Sequence, residues 1–488
     1  MTFSAHYAFK SRYIADFSVR RDGTTKFGDN KRWGTFPALS FRWNVVDEPW
    51  MKGAQKWLSM LSVRPGWGRV GSQPGAEYLF FSKYTATDSY NGANSIYPSN
   101  IRLSNLQWEE KETWNVGFDL GLFDNRVTAD FNIYTQMTSK LLMTNVNIPS
   151  SSGFPSLSWT NVGKMRNNGW EFNINGTDVV KVGKFRLGFN VTFANNKNEI
   201  VEMEPTALAN LNKDFDNNNG SYLTRVQLNN PFGAIYGFRY KGVYQYSDYS
   251  EVEVPGVSGP NAPVARDENG NVIRDKAGFT IPMVFGYDKI TNTELYEFQG
   301  GDAIYEDINH DGNINELDIV YLGSSLPKIT GGWGLKFSYG RWSLNAQFNF
   351  RAGNKVVNRA RMDAESMHNN NNQAASVNWR WRTEGQLAEI PRALYNKGFN
   401  YLGSDRFVED ASFMRLNYLS LGYSLDPKLL RRICVASLSI NLNASNLFCL
   451  TNYSGADPEV GYGGMGVATD GAKTPRSRQF TARVQIGF

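Results

Sequence analysis

Only two cysteines and three histidines occur in 488 residues. Cys434 lies in a strand-like run and Cys449 in the turn beyond it, so neither a disulfide framework nor a Cys/His metal spacing is available. His6, His310 and His368 complete no H-E-x-x-H, and no G-x-S-x-G occurs, so metal hydrolysis and a serine triad both lack their parts. The chain is not expected to be an enzyme or to require a cofactor. No run of 18 apolar residues occurs, which excludes a spanning helix, and no charged start with an apolar core follows Met1. A dense basic block is missing too: 51 basic residues are offset by 46 acidic ones scattered among them. Nucleic acid is therefore not an expected partner. Long stretches of helix formers are scarce, whereas aromatics reach 14% and Gly numbers 46, so the fold class is all-β.

What is present is strict alternation over nine or more residues, repeated along the chain. Trp342, Leu344, Ala346, Phe348 and Phe350 occupy one face of a strand, and Ser343, Asn345, Gln347, Asn349 and Arg351 the other. Trp333, Leu335, Phe337 and Tyr339 precede them, joined through Gly340 and Arg341 as a hairpin. The pattern recurs from Trp114 to Leu122 and Val127 to Ile133, from Phe185 to Phe193, and from Ala436 to Leu442. Opposite the large apolar residues stand Ser, Asn, Gln and Gly, not the Lys, Glu and Thr of a soluble sandwich. One face suits lipid and the other a hydrated lumen, as in a transmembrane antiparallel β-barrel.

Connections alternate between short and long. Short turns are expected near Lys10 to Arg12, Asp124 to Asn125, Thr177 to Gly183, Gly340 to Arg341 and Asp426 to Arg432, with a longer link from Val46 to Lys56. Long polar stretches are Gly68 to Gln107, Ser139 to Gly163, Asn195 to Gly331, Ala352 to Asp410 and Asn446 to Pro475, expected as hydrated extracellular loops. The Asn-rich pieces Asn217 to Asn219 and His368 to Gln373 fall in them. About 13 spanning strands result, the last from Phe480 to Phe488. Single-chain bacterial barrels use an even number. The odd count suggests a chain that continues a longer barrel and lacks a signal peptide, with a miscount by one as the alternative.

Several pieces resemble the SusC/RagA family of TonB-dependent transporters of Bacteroidetes, in that family's order. Arg20-Arg21-Asp22-Gly23-Thr24-Thr25-Lys26-Phe27 and Arg32-Trp33-Gly34-Thr35-Phe36-Pro37-Ala38 resemble R-x-D-G-S-S-x-F and R-W-G-x-F-P-S. Asp410-Ala411-Ser412-Phe413-Met414-Arg415-Leu416, with Leu421-Gly422-Tyr423, is similar to D-A-S-F-x-R-L and L-G-Y. Asn446-Leu447-Phe448 and Tyr453-Ser454-Gly455-Ala456-Asp457-Pro458-Glu459 resemble N-L-F and Y-x-G-x-D-P-E before the last strand, which here ends on an aromatic residue. The resemblance implies that residues 1–488 are the C-terminal part of a 22-stranded outer-membrane barrel, without the family's plug domain. It also implies uptake of oligosaccharides (glycans) or peptides, a SusD-like surface lipoprotein as partner, and TonB acting through a plug absent from this chain.

Within the loop region 195–331, Asp307 to Asp318 fits the calcium-loop spacing D-x-N-x-D-G. Asp307, Asn309, Asp311, Asn313 and Asp318 are the candidate ligands, although the last is Asp where Glu is usual. A Gly-centred turn held by Asx hydrogen bonds is the alternative. Gly461-x-Gly463-x-x-Gly466 fits a dinucleotide fingerprint only formally, since no βα pattern surrounds it. Trp379-Arg380-Trp381-Arg382 could stack on sugar rings. Trp43, Trp57, Trp114, Trp170, Trp333 and Trp342 are read as interfacial anchors in an outer-membrane barrel wall. Two other readings stand beside this one: a plugless, porin-like diffusion channel, and a soluble secreted carbohydrate-binding β protein.

Overall fold

The computed structural model describes residues 1–75, 77–90, 93–212, 222, 225–249, 263–286, 296–430, 434–461 and 466–488. Thirteen strands form one sheet in which each pairs antiparallel with its neighbours in chain order. They are β1 (Thr2–Phe9), β2 (Tyr13–Gly23), β3 (Trp33–Asn44), β4 (Leu58–Ser72), β5 (Glu109–Leu122), β6 (Val127–Ser139) and β7 (Lys164–Val182). The series continues with β8 (Phe185–Glu202), β9 (Ile329–Tyr339), β10 (Trp342–Ala352), β11 (Phe413–Ser424), β12 (Ser437–Thr451) and β13 (Gln479–Gly487). Among the described residues β1 pairs only with β2 and β13 only with β12, so both outer edges of the sheet are open.

Register carries the alternation from strand to strand. Val63, Phe118, Phe131, Phe172 and Phe193 are mutual partners across β4 to β8, and Phe337, Leu344, Leu421 and Leu442 across β9 to β12. A one-residue slip would turn each apolar set to the opposite face, so thirteen strands in step imply one surface that demands apolar contact. That surface is open: Phe118 is 40% exposed and Leu442 53%. An apolar band of this extent on a protein in water would be anomalous, whereas lipid provides its counterpart.

Aromatic rings border the band. Phe185, Tyr339, Trp342 and Tyr423 form one cross-strand row near the short turns, and Trp67 and Trp114 pair near the other end with ring centres 5.9 Å apart. Trp114 and Phe123 are nine residues apart in sequence. That spacing spans about 30 Å along a strand and about 23 Å across the band after a tilt of about 40°, close to the apolar height of an outer-membrane barrel. Trp114 and Trp170 lie well inside their strands, not at strand ends, because β5 and β7 continue past the band.

The short turns gather at one end of the sheet and the long connections at the other. Phe123, Asp124 and Asn125 turn with φ of 52°, 56° and 60°, a left-handed conformation that Asn and Asp tolerate better than most residues. The turn expected at Thr177 to Gly183 is corrected: Thr177 to Val182 belong to β7, which absorbs a register shift between Gly176 and Val180 and turns at Gly183 and Lys184. Several loop bounds also move, since β8 runs on to Glu202 and β12 to Thr451, so Cys449 lies in a strand and Cys434 in the preceding turn. The cause is physical: backbone hydrogen bonds extend a hairpin past the membrane whether or not the side chains still alternate. Asn217 to Asn219 and Gly463 lie outside the described residues, as does part of the Asp426 to Arg432 turn.

Candidate functional site

The face opposite the apolar band is a polar wall built by the same registers. Asp119 on β5 accepts from Arg64 Nη2 at 2.6 Å, Arg42 Nη2 at 2.9 Å and Ser62 Oγ at 2.7 Å, joining three strands through one carboxylate. Asp130 accepts from Asn132 at 3.2 Å and Asn173 at 3.1 Å. Gln347 donates to Asn190 at 3.2 Å and Asn345 at 3.1 Å, and the Tyr418 hydroxyl donates to Asn443 at 2.8 Å. Amides and hydroxyls of this kind can donate or accept as required, so the wall can exchange hydrogen bonds with water and with a passing polar solute.

The long connections are not merely hydrated. The described residues of the connections between β8 and β9 and between β10 and β11 share a packed core in which Phe238, Phe285, Phe298, Ile314 and Leu402 are almost wholly buried. Asp302, next to Ala303 of that core, has no exposed surface. Its carboxylate receives Arg392 Nε at 2.7 Å and Nη2 at 3.1 Å, the Tyr296 hydroxyl at 2.7 Å, Asn400 Nδ2 at 3.2 Å and the Gln299 amide at 2.9 Å. Burial, reinforced by the Asp302 charge, raises the Tyr296 hydroxyl pKa above its ordinary value. One buried carboxylate therefore ties two loops together.

The sequence signatures meet in space. Arg415 donates to Asp457 at 2.6 Å and lies 3.0 Å from Glu459, so D-A-S-F-M-R-L on β11 clasps the D-P-E segment beyond β12. Phe27 and Phe36 both pack on Trp108, at 5.0 and 5.4 Å between ring centres. Gly34 is required there: a Cβ on it would fall 2.4 Å from the Phe36 ring. Sequence reasoning missed Trp108, which lies outside any alternating run.

Glu409 closes a second cross-loop link. It accepts from the Ser454 amide at 2.9 Å and hydroxyl at 2.8 Å, and from Asn358 and Arg361 at 3.1 Å each. Burial pushes the Glu409 carboxyl up, but these hydrogen bonds outweigh it and hold the group below its ordinary range. The folded pKa is lowered, so its contribution to stability is present above the unfolded value near 4.5 and is lost as pH falls through the folded value. Hydrogen-exchange protection at the Ser454 amide, corrected for intrinsic rate, is expected to hold at neutral pH and to be lost only as pH falls below the ordinary carboxylate range.

The calcium-like loop is closed on itself. Asp307 accepts from the Gly312 amide at 2.8 Å and the Asp311 amide at 3.3 Å. Asp318 spends both oxygens on the Ile308 and Asn315 amides, at 2.8 Å each. Asn309 donates to Asp311 at 3.0 Å, and Asn313 reaches the Gly286 carbonyl at 3.4 Å. Among the described residues no three acidic, His or Cys side chains are grouped to hold a metal, and the Asp307 and Asp318 oxygens are taken up by backbone amides. Burial, with the Asp307 and Asp311 charges, pushes the Asp318 carboxyl up to about 6. In the tryptophan pair, Trp381 is buried and donates to Gln245 at 3.1 Å, which removes it as a sugar platform, whereas Trp379 is exposed.

The fold and the polar wall agree with the comparisons. A family model described as TonB dependent receptor-like, beta-barrel matches residues 3–281. A TonB-dependent receptor of Formosa agariphila is 28% identical over 99% of this chain and 45% of its own length. The TonB-dependent receptor SusC of Bacteroides thetaiotaomicron is 25% identical over 99% of this chain and 43% of its own length. The RagAB peptide transporter superposes with a TM-score of 0.73 at 24% identity, over 100% of this chain and 47% of that one. The chain thus spans about half the length of the curated relatives it matches, and a receptor barrel agrees with the expectation that it is not an enzyme. The matched model covers more than half of the 488 residues, and the chain belongs to the TonB-dependent receptor-like β-barrel family of the outer membrane, with SusC among its relatives.

Proposed function

We propose that this chain supplies barrel wall and extracellular loops to a SusC-like importer of oligosaccharides or peptides. In this reading a SusD-like surface lipoprotein cooperates at the long-loop end, and TonB supplies energy through a plug that is not among these residues. The observation that carries the reading is the unbroken partition of thirteen strands into an apolar face and an amide- and hydroxyl-rich face. Such a wall suits polar solutes, and the match to a peptide transporter supports the peptide arm. The test is uptake of labelled oligosaccharide and labelled peptide mixtures by the native host with and without the gene. Selective loss of one class is expected. Undiminished uptake of both would refute the proposal, and steady conductance without TonB would favour the plugless pore.

A calcium ion in the Asp307 to Asp318 loop is a subsidiary proposal resting on its spacing. The ion would have to draw Asp307 and Asp318 off the amides they now hold. Calorimetric titration of the purified protein with calcium chloride, against Asp311→Asn, tests it. Absence of binding heat would leave a turn held by its own side chains.

A further inference from the structure

The apolar band is not uniform. Across β3 to β8 it opens into a groove of about 1040 Å³ lined mostly by apolar and aromatic side chains, with Thr135, Asn168, Asn195 and Lys197 toward one end. Pro65, Val116 and Ile133 occupy one cross-strand row as its floor, while Trp67 and Trp114 stand in the next row as a rim and Trp170 closes a side. Proline has no amide hydrogen to give, and the β3–β4 ladder lapses between the Ser40–Gly66 and Trp43–Val63 pairs, beside Pro65.

The rim is fixed in place. Both indole nitrogens donate to the same Glu112 oxygen, Trp67 at 2.9 Å and Trp114 at 3.2 Å, and Arg69 holds the other oxygen of that carboxylate at 3.0 Å. Indoles tethered at their polar edges cannot fold down to fill the groove, so the concavity is preorganised for an occupant.

Charge marks the open end of the groove. Lys197 lines the groove in the same cross-strand row as Trp114, and its side chain is 72% exposed. Its nearest carboxylate, Glu199 at 3.6 Å, already binds Arg166 at 3.1 Å, so two cations share one anion and a positive charge is left over. A largely apolar groove ending in surplus positive charge, at the level where tryptophans mark the membrane interface, is complementary to a lipid with a phosphate-bearing headgroup.

We propose that this groove binds one acyl chain of an anionic, phosphate-bearing lipid, with the Trp67 and Trp114 indoles lining the chain and Lys197 meeting the phosphate. The inference rests on the membrane-wall reading above, and it assigns a specific lipid site on the outside of the wall, separate from the solute path.

The test uses the protein purified from outer membranes and reconstituted in phosphatidylcholine vesicles. A small fraction of the lipid carries brominated chains, as phosphatidylglycerol in one sample and phosphatidylcholine in the other, and tryptophan quenching is read. Anionic lipid is expected to quench with about fivefold local enrichment over zwitterionic lipid, the ratio associated with one basic side chain near a membrane surface. Lys197→Gln should bring that ratio close to one, and Val116→Phe should lower it by filling the floor. If Val116→Phe fails to assemble, Lys197→Gln alone decides. Equal quenching by both headgroups in the native protein would overturn the groove proposal and leave the wall reading intact. No quenching by either lipid would overturn both.

Discussion

Asp302→Ala is expected to release the segment around residues 296–305 from the segment around residues 392–402 while leaving the thirteen-stranded wall assembled. The carboxylate has no exposed surface and holds Arg392 through two bonds, with Tyr296, Asn400 and the Gln299 amide completing its shell. Removing it leaves a guanidinium largely buried without its counter-charge, a change that typically costs about 3–5 kcal/mol. The lower end applies, because the Arg392 side chain keeps 20% of its surface exposed. Limited proteolysis should show new cleavage in both loops at unchanged outer-membrane yield. Asp302→Asn, which keeps the shape and some of the hydrogen bonds, should fall between. Unchanged protease resistance in Asp302→Ala would remove this carboxylate as the link between the loops.

The second large effect separates two neighbours on one strand. Phe348 on β10 pairs with Trp333, their rings stacked at 3.9 Å, on the apolar face, while Gln347 beside it faces the polar wall and bonds to Asn190 and Asn345. Phe348→Lys places an ammonium in hydrocarbon at about 2–4 kcal/mol near the bilayer midplane. Gln347→Lys places the same charge in a hydrated lumen at much lower cost. The fraction of heat-modifiable protein in outer membranes should drop several-fold for the first and little for the second. Equal losses would mean that both faces meet the same environment.

How much was legible follows from which forces leave a local trace. Alternation is imposed by the backbone at a period of two, so Trp342 to Arg351 could be split between faces without any neighbour known. Short turns such as Gly340–Arg341 were legible for the same reason, since the alternation stops there. Strand ends were less so: β7 continues through Thr177 to Val182 across a register shift that has no polarity signature. The loop core was illegible because its partners are distant in sequence. Asp302 and Arg392 are ordinary polar residues 90 positions apart, and Phe238, Phe298 and Leu402 follow no period. The motif residues stand out in the sequence only by resemblance, and the structure gives their physical reason. Arg415 meets Asp457 and Glu459, and Gly34 leaves room for the Phe36 and Trp108 rings.

The most direct test of the membrane wall is a cysteine scan of β10 in a background where Cys434 and Cys449 are replaced by serine. Single cysteines from position 342 to 351, in protein retained in intact outer membranes, are exposed to a charged, membrane-impermeant maleimide. Positions 343, 345, 347 and 349 are expected to react through the hydrated lumen, while 344, 346, 348 and 350 remain protected by lipid. Equal labelling of both sets, or labelling only of the apolar set, would contradict the assignment of the two faces and with it the barrel wall.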